Sequence, residues 1–145
     1  METKVILLVE DNPDDEFLTL RALEANRIAN GVVVLRDGQA ALDWLFGDGP
    51  GGARPAKELP ALVFLDLKMP KVSGLDVLRR MRGDSRTRRI PVVIFTSSNE
   101  ERDVMLSYDL GANSYVRKPV DFTEFSEAVK QLGLYWLLIN APPPR

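Results

Sequence analysis

Four short runs of almost entirely apolar residues constrain the fold of this chain more than any other feature. They cover residues 5–9, 62–65, 92–95 and 114–116. Strands that are apolar on both faces are typical of a parallel sheet that is covered by helices on both sides. The runs therefore predict strands of a buried parallel sheet.

Patterns typical of helices lie between these runs, so strands and helices alternate along the chain. This order predicts an α/β fold, in which a doubly wound five-stranded parallel sheet is flanked by five helices. The remaining strand is expected at 32–36, and the helices at 13–26, 39–46, 74–82, 100–110 and 122–140.

Polar side chains stand where these strands are expected to end. Ligands of open parallel sheets bind at the carboxyl ends of the strands, so these side chains are expected to converge. Carboxylates, a hydroxyl and an ammonium in one crevice favour a phosphoryl-transfer site. In chain order, the residues are Glu10, Asp11, Asp66, Thr96 and Lys118.

Crowded carboxylates repel one another unless a cation lies among them. Mg²⁺ is the expected cation, because it prefers oxygen ligands and takes its remaining ligands from phosphate. Asp66 ends the central run and is the expected nucleophile, since aspartate can form an aspartyl-phosphate, while Glu10 and Asp11 would hold the metal. The metal, Lys118 and the Thr96 hydroxyl would each take one oxygen of the transferred phosphoryl group.

These residues and their neighbours resemble the receiver domain of bacterial response regulators. The resemblance implies a flavodoxin-like receiver fold and assigns a further metal ligand to the backbone carbonyl of Lys68. It also implies that Thr96 and Tyr115 form a switch pair and that Lys118 contacts the phosphate. The resemblance runs from Val5 to about Asn140 and rests on Glu10-Asp11, Leu65-Asp66-Leu67-Lys68-Met69-Pro70, Thr96-Ser97 and Lys118-Pro119.

The resemblance implies a single-domain two-component response regulator that accepts a phosphoryl group from a partner histidine kinase onto Asp66. Such a protein is a signalling phosphoacceptor rather than an enzyme, although it carries self-phosphorylation and self-dephosphorylation chemistry. Phosphorylation is expected to change the surface of the fourth helix, fifth strand and fifth helix, and to signal through binding, dimerisation or phosphorelay. The Lys68 side chain is expected to point towards the phosphoryl group and to slow its hydrolysis.

Further features are similar to the regulators that act with bacterial phytochrome kinases. The similarity implies a red-light sensor histidine kinase as the phosphoryl donor. The features are the opening at 10–15, the long excursion before Asp66, the segment 111–115 and the pair Tyr135-Trp136.

Simpler interpretations of the same residues stay open. An acid pair after a strand often marks a helix entry, and Asn12-Pro13 looks like one. Lys118 alone would be a solvated lysine. Other candidate classes are a binding module that keeps the fold without phosphorylation, a haloacid-dehalogenase-like phosphatase and a flavodoxin-like nucleotide binder. The phosphatase would need an aspartate at Lys68, and the nucleotide binder would need small donor residues after the first run.

The composition of the 145 residues narrows the function classes. The length suits a single domain over 1–145. A formal charge of -2 predicts neither nucleic acid nor a membrane surface as a partner. The chain has no cysteine for disulfides or thiolate metal sites, and no histidine that could carry the phosphoryl group itself. No signal peptide or membrane span is visible, so we expect the protein in the cytoplasm.

The last predicted helix carries apolar residues beyond the single face that a core needs. They predict a helix buried deeper in the monomer or, as we prefer, the interface of a two-fold homodimer. Glycines and prolines predict a flexible excursion at 47–60 and an extended tail at 141–145. The additional apolar residues are Leu134, Tyr135, Leu137 and Leu138.

Six arginines lie close together in the sequence, from the last turn of the predicted third helix into the segment that follows it. A solvated surface is the expected environment of such a charge cluster. Docking of an acidic partner is the alternative. The residues are Arg79, Arg80, Arg82, Arg86, Arg88 and Arg89.

Overall fold

The structure is a computed structural model that describes residues 5–26, 31–47, 59–97, 100–118 and 121–134, with side chains described as far as 131. Strands and helices alternate throughout these ranges. The strands are β1 (Ile6–Val9), β2 (Val32–Leu35), β3 (Leu62–Leu65), β4 (Val92–Thr96) and β5 (Ser114–Arg117). The helices are α1 (Pro13–Ala25), α2 (Gly38–Phe46), α3 (Gly74–Arg82), α4 (Glu101–Asp109) and α5 (Phe122–Leu134).

All five strands pair in parallel in the order β2-β1-β3-β4-β5. The predicted doubly wound α/β fold is therefore confirmed. The observed bounds lie within one residue of the predicted ones, except at the end of α5, whose predicted end at 140 lies beyond the described residues. The difference that matters most for the site concerns Thr96. It is the last residue of β4 rather than the first residue after the strand, because it still pairs with Arg117 of β5.

Some predictions fall on residues outside the described ranges. These are most of the excursion, at 48–58, the tail at 141–145 and the predicted helix beyond Leu134, including Tyr135, Leu137 and Leu138. No helix within the described part of the chain is both long and apolar enough to cross a membrane.

Successive residues of the central strands point to opposite faces of the sheet, and this alternation builds two cores. One core lies between the sheet and helices α2 and α3, and the other lies between the sheet and helices α1 and α5. The first includes Leu45, Leu65, Met81 and Ile94, and the second includes Ala22, Phe64, Phe95 and Phe125. With both faces covered, the ends of the strands are the places where polar side chains can gather.

The expectation that all four apolar runs are buried on both faces is correct for three runs and wrong for the fourth. β1, β3 and β4 are buried along their whole length. In β5, Ser114, Tyr115 and Val116 are half-buried and Arg117 is exposed. Among the described strands, β5 lies at an edge of the sheet and pairs with β4 alone, so less of its surface is covered.

Helix α3 begins against the backbone of Asp66. Ser73 and Asp76 form a capping box, in which the Asp76 backbone N–H donates to Ser73 Oγ (3.2 Å) and the Ser73 backbone N–H donates to the Asp76 carboxylate (3.2 Å). A Cβ atom on the next residue, Gly74, would collide with the carbonyl oxygen of Asp66. Glycine therefore permits this close approach between the helix and the loop that follows β3.

Two residues organise the arginine-rich connection after α3. Asp84 accepts hydrogen bonds from the backbone N–H of Arg86 (2.9 Å) and from its guanidinium (3.1 Å), and it pairs with Arg80 (3.4 Å). Arg82 donates to the carbonyl oxygen of Gly111 (2.8 Å), and burial lowers the pKa of Arg82. The expectation of a solvated surface is therefore wrong for Arg82, whose half-buried guanidinium holds the turn before β5. The other five arginines of the cluster are exposed.

Gly74→Ala is expected to lower the free energy of unfolding by about 1–3 kcal/mol, the usual cost of an extra methyl group in a packed position. The added methyl meets backbone atoms, which cannot rotate away as the end of a flexible side chain could. Urea unfolding measures the difference. Gly83→Ala is the matched control, because its Cβ would lie an ordinary 3.5 Å from the carbonyl oxygen of Arg79. Equal stability of Gly74→Ala and the parent would contradict the prediction.

Asp84→Asn is expected to destabilise the protein at neutral pH and to have little effect near pH 2. Hydrogen bonds from Arg86 lower the pKa of Asp84 from 3.8 to about 2. A lowered pKa contributes stability that is complete above the usual pKa and is lost as the pH falls through about 2. Urea midpoints measured across this pH range test the prediction. Asp109→Asn, which removes an exposed carboxylate from α4, is the control. A difference that does not change with pH would refute it.

Candidate functional site

The carboxyl ends of the strands bring the predicted site residues to one edge of the sheet. Glu10 follows β1 and Asp66 follows β3, the neighbouring strand. The Asp66 backbone N–H donates to the Val9 carbonyl (3.1 Å), and the Lys118 backbone N–H donates to the Thr96 carbonyl (2.7 Å). These bonds continue the pairing of the sheet beyond the strands and fix where the side chains begin.

Three carboxylates meet at this edge. One oxygen from each of Glu10, Asp11 and Asp66 lies within 4.8 Å of the others. Glu10 and Asp66 are buried, whereas Asp11 is exposed and opens the cluster to solvent. Among the residues that the structure describes, this is the cluster of acids with the spacing that a metal ion needs.

Lys118 lies beside the same cluster. Its Nζ is 2.6 Å from Glu10 Oε1, 2.8 Å from Asp15 Oδ2 and 3.5 Å from Asp66 Oδ2. The lysine side chain is 8 % exposed, so the interpretation of Lys118 as a solvated lysine is wrong. Burial alone would lower the pKa of Lys118, but the hydrogen bonds to Asp15 and Glu10 raise it above its ordinary value. The ammonium is therefore charged at neutral pH.

The pKa of the Glu10 carboxyl reflects both its burial and the charged groups around it. Burial raises the pKa of Glu10, the hydrogen bond from Lys118 opposes the rise, and the nearby Asp66 adds to it. A divalent cation among the three carboxylates would remove the repulsion, and carboxylate oxygens are the ligands that hard divalent cations prefer. The donor set therefore fits such an ion.

The entry to α1 is built by Asn12, not by the acid pair that precedes it. Asn12 Oδ1 accepts hydrogen bonds from the backbone N–H groups of Asp14 (2.9 Å) and Asp15 (3.1 Å), and Pro13 is the first helical residue. The helix-entry interpretation is thus correct for Asn12-Pro13. It does not account for the buried position of Glu10, which a helix cap does not require.

Lys68 connects the loop after Asp66 to helix α4. Its backbone N–H donates to Asp66 Oδ1 (3.2 Å), and its Nζ pairs with Asp103 Oδ2 (3.3 Å). Asp103 is a buried residue in the first turn of α4. The sequence predicted a Lys68 side chain directed towards the phosphoryl position, whereas its ammonium lies against α4.

Thr96 and Tyr115 lie on the same face of the sheet. Tyr115 pairs with Ile94 across β4 and β5, and Thr96 follows Ile94 by two residues, which returns it to the same face. Thr96 is fully buried, and the half-buried Tyr115 packs against the core beneath α2 and α3. The two residues are therefore diagonal neighbours on one face of β4 and β5.

Sequence reasoning missed two acidic residues, Asp15 and Asp103. Each stands in the first turn of a helix, where an acid is explained by the helix dipole alone. Asp15 pairs with Lys118, which lies 103 residues further along the chain. Asp103 pairs with Lys68, which follows β3. The EDNPDD opening of the chain contains Asp15, but nothing local in it identifies Lys118 as the partner.

The sequence matches the family described as the response regulator receiver domain over residues 6–130. It is 40% identical over 139 residues to the probable methanogenesis regulatory protein FilR2 of Methanothrix harundinacea, covering 96% of this chain and 87% of that protein. It is 37% identical over 134 residues to response regulator Rcp1 of Synechocystis, covering 92% and 89%.

Solved structures agree with this match. The phosphorylated cyanobacterial phytochrome response regulator RcpA superposes with a TM-score of 0.85 at 36% identity, covering 97% of this chain and 99% of that one. The Mn²⁺-bound form of Rcp1 gives a TM-score of 0.83 at 36% identity with coverage of 97% and 99%. The bacteriophytochrome response regulator RtBRR gives 0.76 at 52% identity with coverage of 97% and 84%.

Receiver domains bind a divalent metal and act with sensor histidine kinases. The order of strands and helices in this chain agrees with the fold of the solved response regulator structures. By sequence and by structure, the chain belongs to the response regulator receiver domain family of two-component signalling proteins.

Proposed function

We propose that Asp66 accepts the phosphoryl group in this receiver domain. The observation that carries the proposal is the position of the buried Asp66 carboxylate, which belongs to the acid cluster that fits a cation and lies 3.5 Å from the charged ammonium of Lys118. Asp66 Oδ attacks the phosphorus of a phosphohistidine on the kinase, a P–O bond forms and the P–N bond breaks. The imidazole nitrogen keeps the bonding electrons and takes a proton from solvent.

Three further groups would support this transfer. Glu10, Asp11 and Asp66, with the backbone carbonyl of Lys68, would hold Mg²⁺. When bound, the cation supplies positive charge for the phosphoryl oxygens and relieves the repulsion among the acids. Lys118 would meet a second phosphoryl oxygen and the Thr96 hydroxyl a third, because both groups stand at the same edge of the sheet as Asp66.

The signal would leave the site through Thr96 and Tyr115. Phosphorylation adds about -1.5 to -2 charges and three acceptor oxygens. A Thr96 hydroxyl drawn towards one of these oxygens leaves space on the face that Tyr115 shares, and the half-buried ring can turn into it. The surface formed by α4, β5 and α5 would change as a result, because Tyr115 is part of β5.

The phosphoryl donor would be a sensor histidine kinase of the phytochrome type. Support comes from the similarity to a cyanobacterial phytochrome response regulator and to a bacteriophytochrome response regulator over most of both chains. We also propose a homodimer through the apolar residues Leu134, Tyr135, Leu137 and Leu138. The apolar character of these residues in the sequence supports it.

The parent protein is expected to gain one phosphoryl group when it is incubated with Mg²⁺ and acetyl phosphate. Asp66→Asn is expected to gain none, because the amide is not a nucleophile for phosphorus. Intact mass measures both results, and size-exclusion chromatography of the same samples reports the oligomeric state. A purified phytochrome histidine kinase replaces acetyl phosphate in a second experiment, which tests the donor.

The controls separate failure of the site from failure of the fold. Asp76→Asn removes another carboxylate near Asp66 in sequence, on the exposed start of α3, and should be phosphorylated like the parent. Circular dichroism must show all variants folded. No gain of mass by the folded parent with either donor would refute the proposed function, and equal gain by Asp66→Asn would refute Asp66 as the acceptor.

Lys68→Ala is expected to lose its phosphoryl group faster than the parent, by about threefold, which equals the loss of one exposed ion pair. The ion pair with Asp103 holds the Lys68 side chain beside the loop after Asp66, where we expect it to hinder the approach of water. Decay of the phosphorylated mass after removal of the donor measures the rate. Lys71→Ala, which removes an exposed ammonium from the same loop, is the control. A longer phosphate lifetime in Lys68→Ala would contradict the prediction.

A further inference from the structure

Asp15 reaches the buried end of Lys118 from a separate element of the fold. Its Oδ2 lies 2.8 Å from Lys118 Nζ, closer than the 3.5 Å that separates Nζ from Asp66 Oδ2. Asp15 stands in the first turn of α1, 103 residues before Lys118. Its oxygens are not part of the carboxylate cluster that fits a metal ion.

The backbone of α1 fixes where this carboxylate begins. The Asp15 backbone N–H donates to Asn12 Oδ1 (3.1 Å), and the Asp15 carbonyl accepts a hydrogen bond from Thr19 Oγ1 (2.8 Å). Thr19 is fully buried against the core. Asp15 is therefore anchored on both sides of its backbone, and its side chain is 26 % exposed, so it stands at the margin of the site.

An ammonium group has three N–H donors, and the contacts of Lys118 use them unequally. Two donors face Glu10 and Asp15 at hydrogen-bond distance, and Asp66 lies at the longer distance on the remaining side. The two close carboxylates therefore orient the third N–H towards the acceptor. Glu10 is also a proposed ligand of the cation, so binding the cation competes with its hydrogen bond to Lys118. Asp15 is not a proposed ligand, so its hydrogen bond to Lys118 meets no such competition.

We propose that Asp15 is a positioning residue, which holds the Lys118 ammonium in place for phosphoryl transfer to Asp66. The inference rests on the proposed function of Asp66. A lysine side chain has four rotatable bonds, and ordering it at the moment of reaction slows the step. With Asp15 in place, this ordering is complete before the phosphoryl group arrives. Asp15 itself touches neither the phosphoryl group nor the cation.

Asp15→Asn keeps the size of the side chain and removes its charge. Its phosphorylation by acetyl phosphate in Mg²⁺ is expected to be about three- to tenfold slower than that of the parent, the cost of leaving one long side chain unordered. Asp14→Asn is the matched control, because it removes an exposed carboxylate from the same helical turn and so has the same effect on the helix dipole. Its rate should equal that of the parent.

A double-mutant cycle with Lys118→Ala tests whether Asp15 acts through the lysine. The Asp15→Asn change should slow the reaction in the parent and have no further effect in Lys118→Ala. An equal slowing in both backgrounds, or none in the parent, would overturn the inference while leaving Asp66 as the acceptor. If the parent itself gains no phosphoryl group, the proposed function fails and the inference fails with it.

The ammonium resonance of Lys118 supplies a readout that needs neither metal nor phosphate. A buried ammonium held by two carboxylates exchanges its hydrogens slowly, so ¹⁵N-labelled metal-free protein should show an Nζ–H₃ signal that is absent from Lys118→Ala. This signal should broaden or disappear in Asp15→Asn and persist in Asp14→Asn. An unchanged signal in Asp15→Asn would overturn the inference, even where the rate of Lys118→Ala is too slow to measure.

Discussion

The site depends on one buried ammonium group, that of Lys118, which is surrounded by carboxylates. Glu10, Asp15 and Asp66 approach it at 2.6, 2.8 and 3.5 Å. Each acid belongs to a different segment of the fold, so the ammonium connects the end of β1, the start of α1 and the end of β3 to the residue after β5. Without it, the two buried acids, Glu10 and Asp66, would lose the positive charge beside them, a costly change in a protein interior.

The order of strands explains why a lysine performs this role. β1 and β3 are neighbours, so Glu10 and Asp66 are placed side by side by the sheet itself. β5 lies two strands beyond β3 and brings its basic residue in from the edge. A long side chain is needed to cover that distance, and Lys118 extends past β4 with its Nζ 4.8 Å from the centre of the Phe95 ring. The face of this aromatic ring adds a favourable contact for the ammonium.

The sequence alone predicts the sheet, the helices and the convergence of Glu10, Asp66 and Lys118, because apolar runs mark strands and parallel strands end at one edge. It does not predict which strand lies at an edge, so the half-burial of β5 was missed. Nor does it predict Asp15 or Asp103, whose helical positions explain an acid without any distant partner. Arg82 is a similar case, since one member of a charged run cannot be singled out before the turn at Gly111 is in place.

Lys118 and its partners are far apart in the sequence, so the site is complete only when most of the chain has folded. Lys118 lies 108 residues from Glu10 and 52 from Asp66, and such distant contacts close late because the chain between them must first be ordered. Asp66 is synthesised before Lys118, so β3 can pair with β1 before the lysine has been added to the growing chain. A chain in which β5 has not yet paired has no Lys118 ammonium beside Asp66, so the proposed phosphoryl transfer must await the last strand.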